Sequence, residues 1–196
     1  MYSIQDFDKY YELNKSFSCD ASLLQFFNDY VLSKLNSNSS ILEVGCGNYS
    51  IFEDIAKNDF KITAIDFSSV AIKQAPKSHV NYLQVSLIDD LFFDAPKYDL
   101  IFDSHCLNCV EKLNFMKAFR NIFISLNSSG IFASEIMIQP VGDKVVTENN
   151  TILDCREIEL MLIESGFKIV YFVISKSTVF FVDNKSVDLL RFIAIK

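Results

Sequence analysis

The 196-residue sequence predicts an α/β fold: a doubly wound, mostly parallel sheet that ends in an antiparallel C-terminal hairpin strand. Three observations carry that expectation. Short apolar runs alternate with helical patterns through the first two thirds of the chain, the order of a parallel sheet covered by helices on both faces. A two-glycine loop follows the first run, and an acid ends the second, as at the ligand edge of such sheets. The last two apolar runs have no helix-length periodic segment between them, so they pair antiparallel.

The elements follow in order. Asp20 can cap a helix running to about Leu35, with Leu23, Leu24, Phe27, Tyr30, Val31 and Leu35 at helical spacing. The stretch NSNSS (Asn36–Ser40) reads as the connection from that helix to the first strand. Strands are expected at 41–45, 61–66, 80–85, 99–103 and 131–136. The clearest helix is Leu113–Leu126, with Phe115, Phe119, Ile122 and Phe123 on one face and Gly130 closing the turn after it. A capped helix runs from Asp154 to Ser165 and stops at Gly166. The finish is strand-like at 167–175, 179–182 and 189–195. No linker divides the chain, so residues 1–196 form one domain, with 1–38 as an N-terminal helical cap and 39–196 as the core.

Composition excludes several classes. Half the residues are hydrophobic and 14% aromatic, which rules out a disordered or fibrous chain. The longest apolar run, Ile169–Ile174, is far short of the roughly 20 residues that span a bilayer. The N-terminus is neither a signal nor a transit peptide, so no membrane partner is expected. The five cysteines are odd in number and lack framework spacing, the pattern of reduced thiols in a cytoplasmic protein. With a net charge of −7 and scattered Lys and Arg, nucleic acid is a disfavoured partner. A small molecule or a basic protein suits the acidic surface better, and the oligomer is a monomer or a homodimer.

The segment ILEVGCGNYS (residues 41–50) holds the strongest signal. Gly45 and Gly47 allow a tight turn and let the backbone approach a ligand without a Cβ in the way. A short helix, 50–57, should follow with its free N–H groups towards the ligand. Nineteen residues after Gly47, Asp66 ends the second strand, where a carboxylate can accept from both hydroxyls of a ribose. Together these point to an adenosine-type ligand. A dinucleotide loop would place its third glycine at Ser50, and Glu43 would repel a pyrophosphate.

ILEVGCGNYS with ITAIDFSSVAI, YDLIFDSHCLNCV, FRNIFISLNSSGIFASEI and IELMLIESGFKIV resembles, in order and spacing, the class I S-adenosylmethionine-dependent methyltransferases. The likeness covers roughly residues 39–175 and implies a Rossmann-like seven-stranded sheet. It implies S-adenosylmethionine as cofactor and S-adenosylhomocysteine as product. By the same resemblance Glu43, Gly45 and Gly47 flank the methionine portion, Asp66 holds the ribose and Phe67 flanks the adenine. Asp103, Ser104 and His105 lie by the transferable methyl. Tyr49 stands at a position where many members have a third glycine. Ser86 stands where an acid commonly meets the adenine amino group, a role open to Asp89 or Asp90 instead.

His105 is the candidate general base, an imidazole able to take a proton near neutral pH, or else a residue that packs beside the cofactor. Tyr10 and Tyr11 form a lid over the site or pack the first helix on the body. Glu135 faces the substrate or is turned away by strand alternation. His79 falls in an exposed loop. The aromatic pairs at 26–27, 92–93 and 180–181 read as core, with a pocket wall or dimer face as the other use. His105-Cys106-x-x-Cys109 lacks the ligands to complete a structural zinc site, so no metal is expected. The resemblance implies a methyltransferase acting on a small molecule or a protein side chain. The other readings are a non-catalytic S-adenosylmethionine-binding or scaffold protein and an NAD(P)-dependent oxidoreductase.

Overall fold

The computed structural model describes residues 3–13, 21–55, 60–89, 97–140, 151–182 and 185–196. Asp20, Asp90, Phe92, Phe93 and the part of the expected helix beyond residue 55 lie outside them, as do the side chains of Phe180 and Phe181. Five parallel strands alternate with helices: β1 (Ser40–Val44), β2 (Lys61–Asp66), β3 (Asn81–Gln84), β4 (Tyr98–Ser104) and β5 (Leu126–Ile138). The last two, β6 (Lys168–Val182) and β7 (Lys185–Ile195), return antiparallel. The sheet order is β3-β2-β1-β4-β5-β7-β6, so the expected hairpin is present, with β7 inserted beside β5 and β6 at the edge. No described helix is long and apolar enough to cross a membrane.

The central parallel strands β1 and β4 are buried on both faces because helices cover both, whereas the edge strand β3 is largely exposed. Along β1 and β4, Leu42, Val44 and Ile101 point into one core with Phe119 and Ile122 of α5 (Phe115–Ser125) and Leu162 of α6 (Cys155–Glu164). The alternate residues Ile41, Leu100 and Phe102 point into the other, with Phe26 of α2 (Ala21–Phe26), the following Phe27, and Phe52 of α3 (Phe52–Ile55). There Phe27, Phe52 and Phe102 stack edge to face at 5.2 to 6.0 Å between centroids. Such pairs add about 1 kcal/mol each beyond their buried area. The pair Phe26–Phe27 is thus core, as read from the sequence.

Local signals set the helix ends. Asp154 caps α6 in a reciprocal capping box with Glu157, and Gly166 leaves the helix at φ 99°. The helix before β1 is less regular than its periodicity predicts: α2 widens into a π turn at Phe27–Val31 and tightens into a 3-10 turn at Leu32–Lys34. The wider turn lies where two successive phenylalanines are both buried, which a regular helix would set about 100° apart. Gly130 does not close the turn after α5. Ser129 holds the left-handed conformation there (φ 64°), and a Cβ on Gly130 would come within 2.9 Å of the Asn127 carbonyl and 3.0 Å of that of Tyr98.

In this order the chain winds outward from β1 to β3 and then crosses back to β4. The reversal lies between β1 and β4, and ligands of doubly wound sheets bind outside the strand ends at that point.

Candidate functional site

At the reversal the loops after β1 and β4 meet. Gly45 and Gly47 have φ of 69° and 60°, the left-handed region, whereas Tyr49 does not, so no third glycine is needed there. A Cβ on Gly45 would stand 2.4 Å from the Cβ of Cys106, in the loop after β4. Gly45→Ala is therefore expected to lower stability by about 2 kcal/mol through backbone strain and overlap, measured by urea unfolding. An unchanged midpoint would show that the two loops do not pack as closely as this.

Asp66, at the end of β2, is buried and ties the loop together. Its Oδ2 accepts from the Gly47 amide at 3.0 Å and its Oδ1 from the Ser68 amide at 2.8 Å. Each oxygen has a second lone pair, so a pair of adjacent hydroxyls can still be received. Burial raises the Asp66 pKa above the ordinary value, against the lowering effect of those two amides. Glu43, on β1, turns inward: its carboxylate accepts from the Ser50 hydroxyl and, at 3.4 Å, from the Ile51 amide. It thus fastens the far end of the glycine loop where the chain enters α3. Burial pushes the Glu43 carboxyl up to about 7, with those two hydrogen bonds opposing.

The N-terminal helix α1 (Ile4–Leu13) closes over this edge. Asp8 accepts from the Ser68 hydroxyl, which also caps α4 (Ser69–Gln74), and Gln74 donates to the Tyr11 carbonyl at 3.0 Å. Tyr11 is buried, and a Cβ on Gly47 would stand 2.8 Å from its hydroxyl. Burial, then the nearby Asp66, raises its pKa. Tyr10 packs edge-on to Tyr11 at 5.3 Å but is largely exposed, and Phe7 packs edge-on to Phe67 at 5.1 Å. Of the tyrosine pair, Tyr11 covers the glycine loop.

Beyond β3, Ser86 and Asp89 form a small turn. The Ser86 amide donates to Asp89 Oδ2 at 3.3 Å, and the Asp89 amide donates to the Ser86 carbonyl at 3.1 Å. A carboxylate therefore stands beside Ser86 at the strand end.

The loop after β4 is held from below. Asp103 is fully buried, with Oδ2 accepting from the Ser134 hydroxyl at 2.7 Å and Oδ1 from the Leu107 amide at 3.2 Å. Burial raises its carboxyl to about 6 against these bonds and the nearby His105. Ser104 is half-buried and pairs with Glu135 in the register of β4 and β5. His105 then leaves the strand at φ 61°, a left-handed conformation that costs a non-glycine residue about 1 to 2 kcal/mol. Its amide donates to the Glu135 carbonyl at 3.1 Å, and its Nε2 lies 3.0 Å from Glu135 Oε1.

Glu135 thus faces the His105 ring. It lies opposite Arg191 in the antiparallel pairing of β5 with β7, and Arg191 Nε donates to its Oε2 at 2.5 Å. Burial alone would raise Glu135, but His105 and Arg191 outweigh it and hold the carboxyl below its usual range. Arg191 was not among the residues singled out from the sequence, and a lone arginine in an apolar run carries no signal of its own. His79 is exposed, as expected. Cys46, Cys106, Cys109 and Cys155 are free thiols, and burial raises the pKa of the three nearest the site.

Comparison with known proteins bears out the resemblance read from the sequence. Residues 41–130 match the family model described as "Methyltransferase domain". Among solved structures, the chain is similar to a SAM-dependent methyltransferase from Methanosarcina mazei (15% identity, 92% of this chain and 99% of the other, TM-score 0.67). It is also similar to a Burkholderia thailandensis 1,6-didemethyltoxoflavin-N1-methyltransferase with bound 1,6-didemethyltoxoflavin and S-adenosylhomocysteine (14%, 98% and 86%, TM-score 0.75). A third is the N-methyltransferase NodS from Bradyrhizobium japonicum WM9 in complex with S-adenosylhomocysteine (18%, 97% and 98%, TM-score 0.69). No curated protein sequence matches the chain. At these identities the likeness establishes the fold, a Rossmann-like methyltransferase sheet.

Proposed function

We propose that this protein is an S-adenosylmethionine-dependent methyltransferase acting on a small molecule or a protein side chain. The observation that carries the proposal is the Asp66–Gly47–Ser68 cluster at the reversal point, covered by Tyr11. A buried carboxylate keeps two lone pairs beside a loop of two left-handed glycines, which suits a ribose and the chain attached to it. The methyltransferase match over residues 41–130 and the S-adenosylhomocysteine in two of the similar structures support the choice of ligand.

The residues fit that group. Asp66 would receive the ribose hydroxyls, Phe67 would flank the adenine, and Asp89, folded back on Ser86, would offer a carboxylate to the adenine amino group. Gly45 and Gly47 allow close passage of the methionine portion, and Glu43 holds the loop that they form. Asp103 and Ser134 fix the loop that carries Ser104 and His105 at the acceptor side. When bound, the sulfonium supplies an already activated methyl group. The protein therefore contributes alignment, exclusion of water by α1, and removal of a proton where the acceptor carries one. His105 is the proposed base for that step.

Calorimetric titration tests the cofactor directly. S-adenosylmethionine and S-adenosylhomocysteine are expected to bind in the micromolar range and NADH not at all. Silence from both adenosyl ligands in folded protein would defeat the proposal, and NADH binding alone would support an oxidoreductase.

A further inference from the structure

We propose that β6 is the subunit interface of a homodimer. It pairs antiparallel with β6 of a second copy about a two-fold axis at Val173, so that the two sheets run on as one. The surface is independent of the methyltransferase reading, because β5 and β7 stand between it and the reversal of β1 and β4.

The two edges of the sheet are built differently. An edge strand presents a row of unpaired N–H and C=O groups, and proteins protect such edges by keeping them short, polar or bent. The β3 edge follows that rule, with four residues, Asn81–Gln84, that include two polar amides. The β6 edge does not. It runs for 15 residues without a proline, and its pairing with β7 is regular from Tyr171 to Lys176. Val170, Val173 and Ile174 on it are 47%, 44% and 37% exposed.

The strand is open on both faces. Val173 stands opposite Arg191, whose guanidinium bonds Ser22 and lies over Phe26, so it belongs to the α2 side. Ile174 stands opposite Leu190, which shares a core with Leu162 of α6, so it belongs to the other side. Tyr30, packed on Tyr171 with ring centroids 4.7 Å apart, and Ile163 of α6 are exposed as well. Apolar surface gathered in this way marks a docking site rather than scattered exposure.

A second copy fits this edge. A lone peptide strand would pair the backbone and bring no layer to cover Val173 or Ile174. A copy turned about an axis perpendicular to the sheet brings its own α2 and α6 layers, one to each face, and an antiparallel strand is matched by its own image. Charge sets the register. Lys168 and Lys176 are the charged residues of the stretch 168–176. An axis at Phe172 would set them opposite one another, and like charges directly opposite destabilise a strand pair. An axis at Val173 avoids this, pairs Phe172 with Ile174, and keeps the irregular pairing at Val170 away from the centre. Glu159 and Glu164, exposed on α6, add the sign opposite to the strand's lysines. The surface is thus self-complementary in charge, and its acids repel an anionic lipid surface.

Sedimentation equilibrium of the intact chain is expected to show a reversible dimer with a micromolar Kd. Val173→Lys sets two lysines face to face at the axis and should weaken the dimer about 100-fold. Leu83→Lys, on the β3 edge, should leave it unchanged. Urea midpoints close to the parent's confirm that both variants fold. Val173→Cys reads the register without added charge, because opposed residues of an antiparallel pair lie within disulfide reach. Diamide is expected to link it as a covalent dimer, the oxidant taking the two electrons and two protons released as the Sγ–Sγ bond forms. Val170→Cys and the parent should not link. A parent that stays monomeric at every concentration would overturn the proposal, as would a dimer that Val173→Lys leaves intact or that Val173→Cys does not link. A monomeric parent that floats with phosphatidylcholine–phosphatidylserine vesicles, and loses this in Val173→Lys, would overturn it in favour of lipid.

Discussion

Asp66→Ala is expected to weaken S-adenosylmethionine binding about 100-fold, close to 3 kcal/mol. Two losses add. The ribose hydroxyls lose a charged acceptor, and the Gly47 and Ser68 amides lose the oxygens that hold the glycine loop against β2. Asp66→Asn separates the two, because an amide keeps one carbonyl acceptor and no charge; it should fall between the parent and Asp66→Ala. Calorimetry on variants with unchanged circular dichroism checks this. Equal affinity in a folded Asp66→Ala protein would remove Asp66 from the cofactor site.

Glu43→Gln should change how stability depends on pH. Burial raises the Glu43 carboxyl from 4.5 to about 7 in the folded protein. Between those values the folded state holds a proton that the unfolded chain has released. The contribution of Glu43 is therefore fully present below about pH 4.5 and is lost as pH rises through about 7, a change of about 3 kcal/mol. Asp103, raised to about 6, acts in the same direction over a lower window and remains in the variant. Glu135, whose pKa is lowered, acts in the opposite sense: its contribution is lost as pH falls through its folded value. Glutamine can still accept from the Ser50 hydroxyl and the Ile51 amide but has no proton to lose. Its stability relative to the parent should therefore climb by about 3 kcal/mol between pH 4.5 and 8 in urea unfolding. A constant difference across that range would mean that Glu43 is not buried as described.

Both variants act on residues that local sequence already marked. Glu43, the glycines and Asp66 fall within two strand–loop units, and the parallel register that sets Glu43 beside Ala64 and Val44 beside Ile65 follows from two adjacent apolar runs. Asp154 and Gly166 likewise announced the ends of α6, because caps act within one helical turn. The irregular helix around Phe27 was not legible: helical spacing records which side chains are buried, whereas the π turn records how the backbone adjusts to bury two neighbours at once.

The sequence alone determined the alternating strands and helices, the antiparallel finish, the glycine loop and its acid, and through these the resemblance to a methyltransferase. Each depends on periodicity or on groups close along the chain. Only the tertiary structure decided what Glu135 does. In sequence it is an acid near a strand end; in the sheet, the β4–β5 register sets it beside Ser104 and the β5–β7 register sets it opposite Arg191, 56 residues away. The same holds for Tyr11 over Gly47 and Asp8 at Ser68. Pairings over such separations depend on strand order and on how helices dock, and a single sequence carries no local signal for either.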